Sequence, residues 1–437
     1  NRDFFQKPKS EVVRKYKRIM DNALGKDTVS TKHIEELHDF GHLPLRIMAL
    51  PEGSRVPIGV PPFVVYNTAD FAYWLTNYIE TVLSCVLWQP CTSATIAYEY
   101  RKEFMRAAEE TGGSKDFVPF QGHDFSFRGM SSPESAMTSG AGHALSFFGS
   151  DTVPVIDFFE EYYDANIEEE MIIASVAATE HSVASAGGRQ NEKLTLIRLL
   201  KDVYPTGILS FVCDTWDYWN FICNTLREED VRSLILSRNG KLVVRPDSSR
   251  KTPYEIIVGD PDAPVGSPEY KGSIECLWDI FGGTTNVKGF KELDSHIGLI
   301  YGDSITLDLA RRINRGLAAK GFASTNWVAG IGSFTYQMNT RDTFGFAMKA
   351  TYAVINDEQR ELFKDPATDN GTKKSAKGLI AVFKTVGDSF KMKDQANWAE
   401  VNSCALRNVF ENGRVVRRTT LKEVRARLYR RYSETVQ

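Results

Sequence analysis

The chain has no CxxC cysteine pair, no internal repeat and no low-complexity tract. No apolar stretch approaches the roughly 18–20 residues needed to cross a bilayer. Its six cysteines (Cys85, Cys91, Cys213, Cys223, Cys276, Cys404) follow no regular spacing. That argues against a secreted disulfide scaffold and fits free thiols in a reducing compartment. The start, NRDFFQKPKSEVVRKYKR, has neither a Met nor an apolar signal core. An excess of charge of either sign is lacking as well: a formal net charge of -3 over 437 residues gives no global reason to expect nucleic acid or an acidic membrane surface. The expectation is a cytoplasmic protein with no nucleic-acid and no membrane partner. One basic cluster stands apart, formed by Arg414, Arg417, Arg418, Lys422, Arg425, Arg427, Arg430 and Arg431. A solvated surface helix accounts for it.

What is present is ordinary globular material, 42% hydrophobic and 25% charged. The length exceeds what one core usually serves, so a large domain plus a second element is expected. The first hundred residues read as helix, then a β-rich patch over Leu43–Val60 and PPFVVYNT. An apolar-faced helix follows from Phe71 to about Arg101, with a break or kink at Pro90. From about Gly113 strands and helices alternate. Helical spacing runs over Glu192–Asp202, Tyr218–Leu236 and Leu307–Ala319. Such alternation predicts parallel strands joined by crossovers. After about Met338 the texture turns β-rich again. The expected fold is α/β: an irregular TIM-like barrel over 113–337, with a second β-rich α+β domain built from 1–112 and 338–437.

Seven short polar clusters punctuate the alternating region: Asp124–Arg128, Gly149–Asp151, Glu180–Ser182, Asp214–Asp217, Arg245–Ser248, Gly302–Ser304 and Gly330–Ser333. Most follow an apolar β-type run, among them IIASVA, ILSFV, KLVV, HIGLIY and NWVA. A parallel barrel gathers its strand ends on one face, where the loops share a site. This predicts an enzyme.

Several clusters carry chemistry. His181 follows a strand, and a neighbouring carboxylate, Glu180 or one from another strand end, would fix its tautomer; a purely structural histidine is the bland alternative. Arg245 offers a planar donor fork for phosphate or an amide oxygen. Asp247, two residues on, suits ribose hydroxyls or a metal. An internal ion pair would explain the same residues. In Asp214-Thr215-Trp216-Asp217 a carboxylate either orients a histidine or caps the helix that starts next. Gly302-Asp303-Ser304 and Gly330-Ile331-Gly332-Ser333 are small-residue turns at successive strand ends, suited to a phosphate. Phe125 and Phe127, between Asp124 and Arg128, suit a flat heteroaromatic ligand.

Other matches fail. Asp39-Phe40-Gly41 has no accompanying kinase motifs. GAGHAL from Gly140 misses the last glycine of a dinucleotide fingerprint. His33, His38 and His42 do not share one helix face, so no metal site is expected there.

In order along the chain, PEGSRVP, YWLTNYIET, GHDFSFRGMSSPESA, GHALSFFGSDTV, ATEHS, CDTWD, VVRPDS, GDS, GIGS with QMNTRD, and KDPATDNGTKKSAKG resemble the nicotinamide-using members of the nicotinate/nicotinamide (type II) phosphoribosyltransferases. The resemblance covers nearly the whole chain. It implies transfer of phosphoribose from 5-phosphoribosyl 1-pyrophosphate to nicotinamide, with Mg²⁺ as cofactor and ATP as coupled co-substrate. It also implies a homodimer with shared active sites. By resemblance His181 is the phosphorylated histidine, oriented by Glu180 and Asp214. Phe125 stacks on the nicotinamide ring, Asp151 accepts from its carboxamide, and Arg245 contacts the same end. Ser175 and Ser210 line the pocket. Arg128 and Asp247 hold the phosphoribosyl pyrophosphate and ribose. Gly302, Asp303, Gly332 and Ser333 grip ribose and 5-phosphate; Arg341, Lys349 and Lys373 reach phosphates from a partner subunit. The rival expectations are a nicotinate-using enzyme and a catalytically silent nucleotide-binding dimer.

Overall fold

The computed structural model describes residues 2–248, 251–302, 304–364 and 375–430. Two compact units emerge, Gln89–Thr340 on one side and Asn1–Trp88 with Arg341–Gln437 on the other.

The larger unit is built on seven parallel strands: β1 (Gly122–Asp124), β2 (Gly149–Ser150), β3 (Ala177–Ala178), β4 (Thr206–Val212), β5 (Asn239–Arg245), β6 (Ile297–Tyr301) and β7 (Trp327–Ile331). Neighbours in the sheet run β2-β1-β7-β6-β5-β4-β3. The segment just before β3 returns to β2: Ala174 bridges Gly149 in parallel, and Ser150 N–H donates to the Ala174 carbonyl at 3.0 Å. Strand order around the sheet therefore follows chain order, and the sheet meets itself as an α/β barrel. The run IIASVA ends on the first residue of β3, and β4 to β7 match the other apolar runs read from sequence. Their side chains, with Leu209, Phe211, Leu242, Val244, Ile297, Leu299, Trp327 and Ala329 fully or nearly fully buried, form the core.

The helix expected to break at Pro90 runs unbroken as Leu75–Thr111. Proline removes one backbone donor, but the helix is held from outside on both sides of it. Ser93 Oγ lies 2.7 Å from Ser139 Oγ, and Ser135 donates to Gln89 Oε1 at 2.6 Å. Tyr100, Phe104 and Ala108 then enter the barrel core. This is why the barrel unit starts at Gln89 and not near residue 113. Conversely, the spacing over Tyr218–Leu236 resolves into two helices, Tyr218–Cys223 and Glu229–Ser237, whereas Leu307–Ala319 is helical over its whole predicted length.

The smaller unit joins the two ends of the chain. Its four-stranded antiparallel sheet takes Leu45–Ala49 and Phe63–Asn67 from the first part and Arg407–Glu411 and Arg414–Val415 from the last. Arg46 Nε donates to Glu411 Oε1 at 3.0 Å across that seam. Met48, Leu50, Leu379, Val382, Val401 and Leu406 form its core. The basic cluster includes a capped helix, Leu421–Leu428, that buries Leu421, Val424 and Leu428. His33 and His38 have separate partners, Tyr16 Oη at 3.1 Å and the Lys7 carbonyl at 2.9 Å. Among the described residues no helix is long and apolar enough to cross a membrane.

Candidate active site

Because all seven strands are parallel, their C-terminal ends lie on one face. Thr179 knits three of them together. Its N–H donates to the Ser210 carbonyl at 2.9 Å, its Oγ1 accepts from Val212 N–H at 2.9 Å, and its carbonyl accepts from Arg245 Nη2. The following residues, Glu180 and His181, are thereby fixed beside the ends of β4 and β5.

His181 opens the short helix His181–Ala186. Its Nε2 lies 3.8 Å from Asp214 Oδ1 and 3.7 Å from Asp247 Oδ2, while Nδ1 lies 3.3 Å from Thr215 Oγ1. Asp214 is itself anchored, with Oδ2 accepting from the backbone N–H of Asp247 at 2.7 Å and from that of Ser248. The two aspartates of the DTWD cluster divide the two roles left open by sequence. Asp214 faces His181, and Asp217 caps the helix Tyr218–Cys223 by accepting from Asn220 N–H at 3.0 Å. Between them and the core, Cys213 is a packed thiol, pushed up by burial.

A second cluster surrounds Asp151. Its Oδ1 accepts from His123 Nε2 at 2.8 Å and from Ser175 Oγ at 2.6 Å. Burial alone would raise this carboxyl, but the two hydrogen bonds and the Arg245 charge outweigh it and hold the group below the ordinary carboxylate range. The His123 ring also lies 4.5 Å from the Phe125 ring. Phe125 rests over Gly330, where a Cβ would come within 2.9 Å of its ring. Asp124 is wholly buried and structural, accepting from Ser126 N–H and Thr152 Oγ1, each at 2.8 Å. His143, also fully buried, sits 2.6 Å from Tyr336 Oη and 2.9 Å from the Gly149 carbonyl. Burial lowers its pKa, so it is a neutral structural imidazole.

Several buried polar atoms lack a hydrogen-bond partner among the described residues here: Ser126 Oγ, His181 Nε2, Ser210 Oγ, Asp214 Oδ1 and Arg245 Nε. Each such atom costs about 1–3 kcal/mol unless something fills it. Their convergence at the strand ends marks a polar ligand site.

Residues 120–414 match the model of the nicotinate phosphoribosyltransferase (NAPRTase) family. The chain belongs to this family. It is 50% identical over 432 residues to the nicotinamide phosphoribosyltransferase of Acinetobacter baylyi, covering 98% of this chain and 84% of that protein. It is 38% identical over 358 residues to that of Mycoplasma pneumoniae, covering 80% and 74% of the two chains. With that of Xanthomonas campestris pv. campestris the identity is 32% over 399 residues, covering 88% and 79%.

Of the residues that family resemblance singled out, the barrel unit brings His181, Asp214 and Asp247 into one cluster and Phe125, Asp151 and Ser175 into another. Glu180 departs from its expected role. Its side chain is exposed, with Oε1 3.6 Å from Arg245 Nη2, and no hydrogen bond joins it to His181 among the described residues. Adjacency in sequence does not carry two consecutive side chains to the same place, and the Arg245 cation holds this one. Asp247, expected on the ribose, also flanks His181. Gly302 lets that carboxylate approach: a Cβ there would meet Asp247 Oδ1 at 2.6 Å. Arg128 is exposed on the turn Phe127–Gly129, and Ser333 packs against Gly129 of that turn. Gly332 is the N-cap residue of the short helix Ser333–Tyr336. Arg341, paired with Asp342 at 3.0 Å, and exposed Lys349 belong to the smaller unit. Asp303 and Lys373 lie outside the described residues. Three residues of the site escaped the sequence reading: His123, Thr179 and Thr215. Each is polar and adjoins or sits within a quoted cluster, which was the available signal.

Proposed function

We propose that this family member transfers the 5-phosphoribosyl group of 5-phosphoribosyl 1-pyrophosphate to nicotinamide, giving nicotinamide mononucleotide and pyrophosphate in NAD salvage. The observation that carries the choice of base is Asp151, held as a carboxylate with Oδ1 occupied. A carboxylate accepts from a carboxamide N–H and repels a carboxylate, a difference of order several kcal/mol in a dry site. The names carried by the 50% and 38% identical relatives support the same reading.

In this mechanism the bond from the anomeric carbon to pyrophosphate breaks as the pyridine nitrogen attacks that carbon. Phe125 orients the ring, which supplies rate by alignment of a weak nucleophile. Arg245 and Ser210, with buried unpaired polar atoms, complete the polar lining at the carboxamide end. Arg128 and Asp247 hold the phosphoribosyl pyrophosphate, while Gly302, Asp303, Gly332 and Ser333 take ribose and 5-phosphate. Mg²⁺ is usually held by one or two carboxylates together with substrate phosphates. Asp214, whose Oδ1 is buried and unpaired, and Asp247 fit that pattern. No group of three or more metal-type side chains suited to an all-protein cage occurs among the described residues. When bound, the ion would neutralise charge on the departing pyrophosphate. His181 would take a phosphoryl group from ATP, with Asp214 and Asp247 holding the ring. The active form would be a cytoplasmic homodimer, with Arg341, Lys349 and Lys373 reaching phosphates across the interface.

The test is mononucleotide formation from phosphoribosyl pyrophosphate with Mg²⁺, comparing nicotinamide and nicotinate with and without ATP. Product from nicotinamide in strong preference to nicotinate is expected, faster with ATP. Product from nicotinate alone would overturn the choice of base, and product from neither would overturn the activity.

A further inference from the structure

The two donors to Asp151 converge on one oxygen. His123 Nε2 and Ser175 Oγ both bond Oδ1, and no hydrogen bond reaches Oδ2 among the described residues. A carboxylate with both donors on one oxygen is fixed in rotation, and its second oxygen is the acceptor left for a ligand.

The imidazole is built in at this point. His123 lies on β1 and is only 8% exposed. It pairs in register with Gly149 on β2, and a Cβ on Gly149 would come within 2.9 Å of His123 Nδ1. The glycine therefore makes room for the ring. On its other side the ring meets Phe125, with centroids 4.5 Å apart and planes tilted by 37°. Because the acceptor is a carboxylate, Nε2 carries the proton of this bond. His123 thus links the aromatic platform to the carboxylate and fixes their relative placement.

We propose that His123 is a positioning residue that makes Asp151 a single-oxygen acceptor, and that it thereby sets the preference for a carboxamide over a carboxylate on the base. This rests on the reading of the site given above. It predicts that His123 acts on discrimination between bases and leaves handling of the sugar substrate largely alone. His123→Gln keeps an N–H donor close to the position of Nε2, whereas His123→Leu fills the space without one.

The experiment measures kcat and KM separately for nicotinamide, nicotinate and phosphoribosyl pyrophosphate in the full-length wild type and both variants, alongside melting temperature. Expected for His123→Leu is about a tenfold fall in the nicotinamide-to-nicotinate ratio of kcat/KM, mainly through the nicotinamide KM. His123→Gln should recover most of it, and the KM for phosphoribosyl pyrophosphate should stay near that of wild type. An unchanged ratio in a folded His123→Leu protein overturns the proposal. So does an equal loss on both bases that Gln does not rescue, since that is the signature of a structural role. Should His123→Leu not fold, His123→Phe keeps a ring against Phe125 without the N–H donor. There the proposal requires a fall in the same ratio, and no fall overturns it. A wild type that uses neither base would overturn the assigned activity as well. A wild type that prefers nicotinamide while the variants keep that preference overturns only the role of His123.

Discussion

Asp247 donates its backbone N–H to Asp214 Oδ2 at 2.7 Å, and its own carboxylate reaches His181 from the other side. The end of β5 is thereby locked to the end of β4, and two carboxylates are set on one imidazole nitrogen. Neither is close enough for a short hydrogen bond to Nε2, at 3.8 and 3.7 Å. Space between them suits an ion or a transferred group better than a closed structural pair.

Asp214→Asn separates the anchoring role from the electrostatic one. The amide oxygen can still accept from Asp247 and Ser248, so the melting temperature should stay near that of wild type. The charge facing His181 is lost, and ATP-stimulated turnover should fall about a hundredfold. Asp214→Ala should lose stability too, because the part-buried Asp247 N–H is left without its acceptor, at about 1–3 kcal/mol, while the exposed Ser248 N–H can turn to water. Thermal melts with rates measured with and without ATP check both; full ATP stimulation in the Asn variant would detach Asp214 from His181.

His181→Ala should abolish phosphoenzyme formation from ATP and the stimulation ATP gives, while leaving the ATP-independent rate measurable. Radiolabel transfer from γ-labelled ATP reads the first, and steady-state rates the second. ATP coupling that survives intact would remove His181 from the phosphoryl-transfer role.

Asp151→Ser or Asp151→Asn should narrow the preference for nicotinamide over nicotinate by removing a carboxylate that is ionised at neutral pH. The shift has a stability corollary. Because the folded pKa is depressed, Asp151 contributes stability present above its unfolded value and lost as the pH falls through the folded one. The acid limb of the stability curve should therefore flatten in Asp151→Asn. An unchanged ratio of rates on the two bases would place discrimination elsewhere.

Most of the barrel was legible because β6, β7 and the C-terminal parts of β4 and β5 are largely buried and read as continuous apolar runs. β1 to β3 have only two or three residues each and carry little pattern of their own. They were located by the polar clusters that overlap or follow them and, for β3, by the apolar run IIASVA that leads into it. What stayed hidden depended on direction. Glu180 and His181 are neighbours in sequence, yet Glu180 turns to Arg245 and His181 to Asp214. His123 lies one residue before the cluster that drew attention, and only the register with Gly149 reveals what it touches. The helix through Pro90 runs on, and hydrogen bonds joining Ser135 and Ser139 to Gln89 and Ser93 on either side of the proline hold it in place.

Gly149→Ala tests that register. A Cβ at this position would sit 2.9 Å from both the Gly122 carbonyl oxygen and His123 Nδ1. The backbone atom has no room to yield, so the strain should cost about 1–3 kcal/mol and displace His123. A lowered denaturant midpoint at unchanged slope, together with a reduced nicotinamide-to-nicotinate ratio, is the expected pair of results. A variant as stable as wild type would show that β1 and β2 can part at no cost.

Glu192 adds a pH dependence of opposite sign. Its Oε1 is buried without a hydrogen-bond partner among the described residues, and the group is pushed up to about 7, first by burial and then by the charge of Asp217, with Arg189 opposing. The ordinary value is 4.5. Between that pH and about 7 the folded protein keeps a proton that the unfolded chain releases. Binding more protons when folded means that stability falls as the pH rises through this window and levels off above it. Glu192→Gln removes the titration while keeping the shape. Its melting temperature should exceed that of wild type at pH values above the window, and the difference should shrink towards the acid side. Parallel curves for the two proteins across the whole window would mean that Glu192 is solvated in solution, and the Asp217 carboxylate would then exert no hold on it.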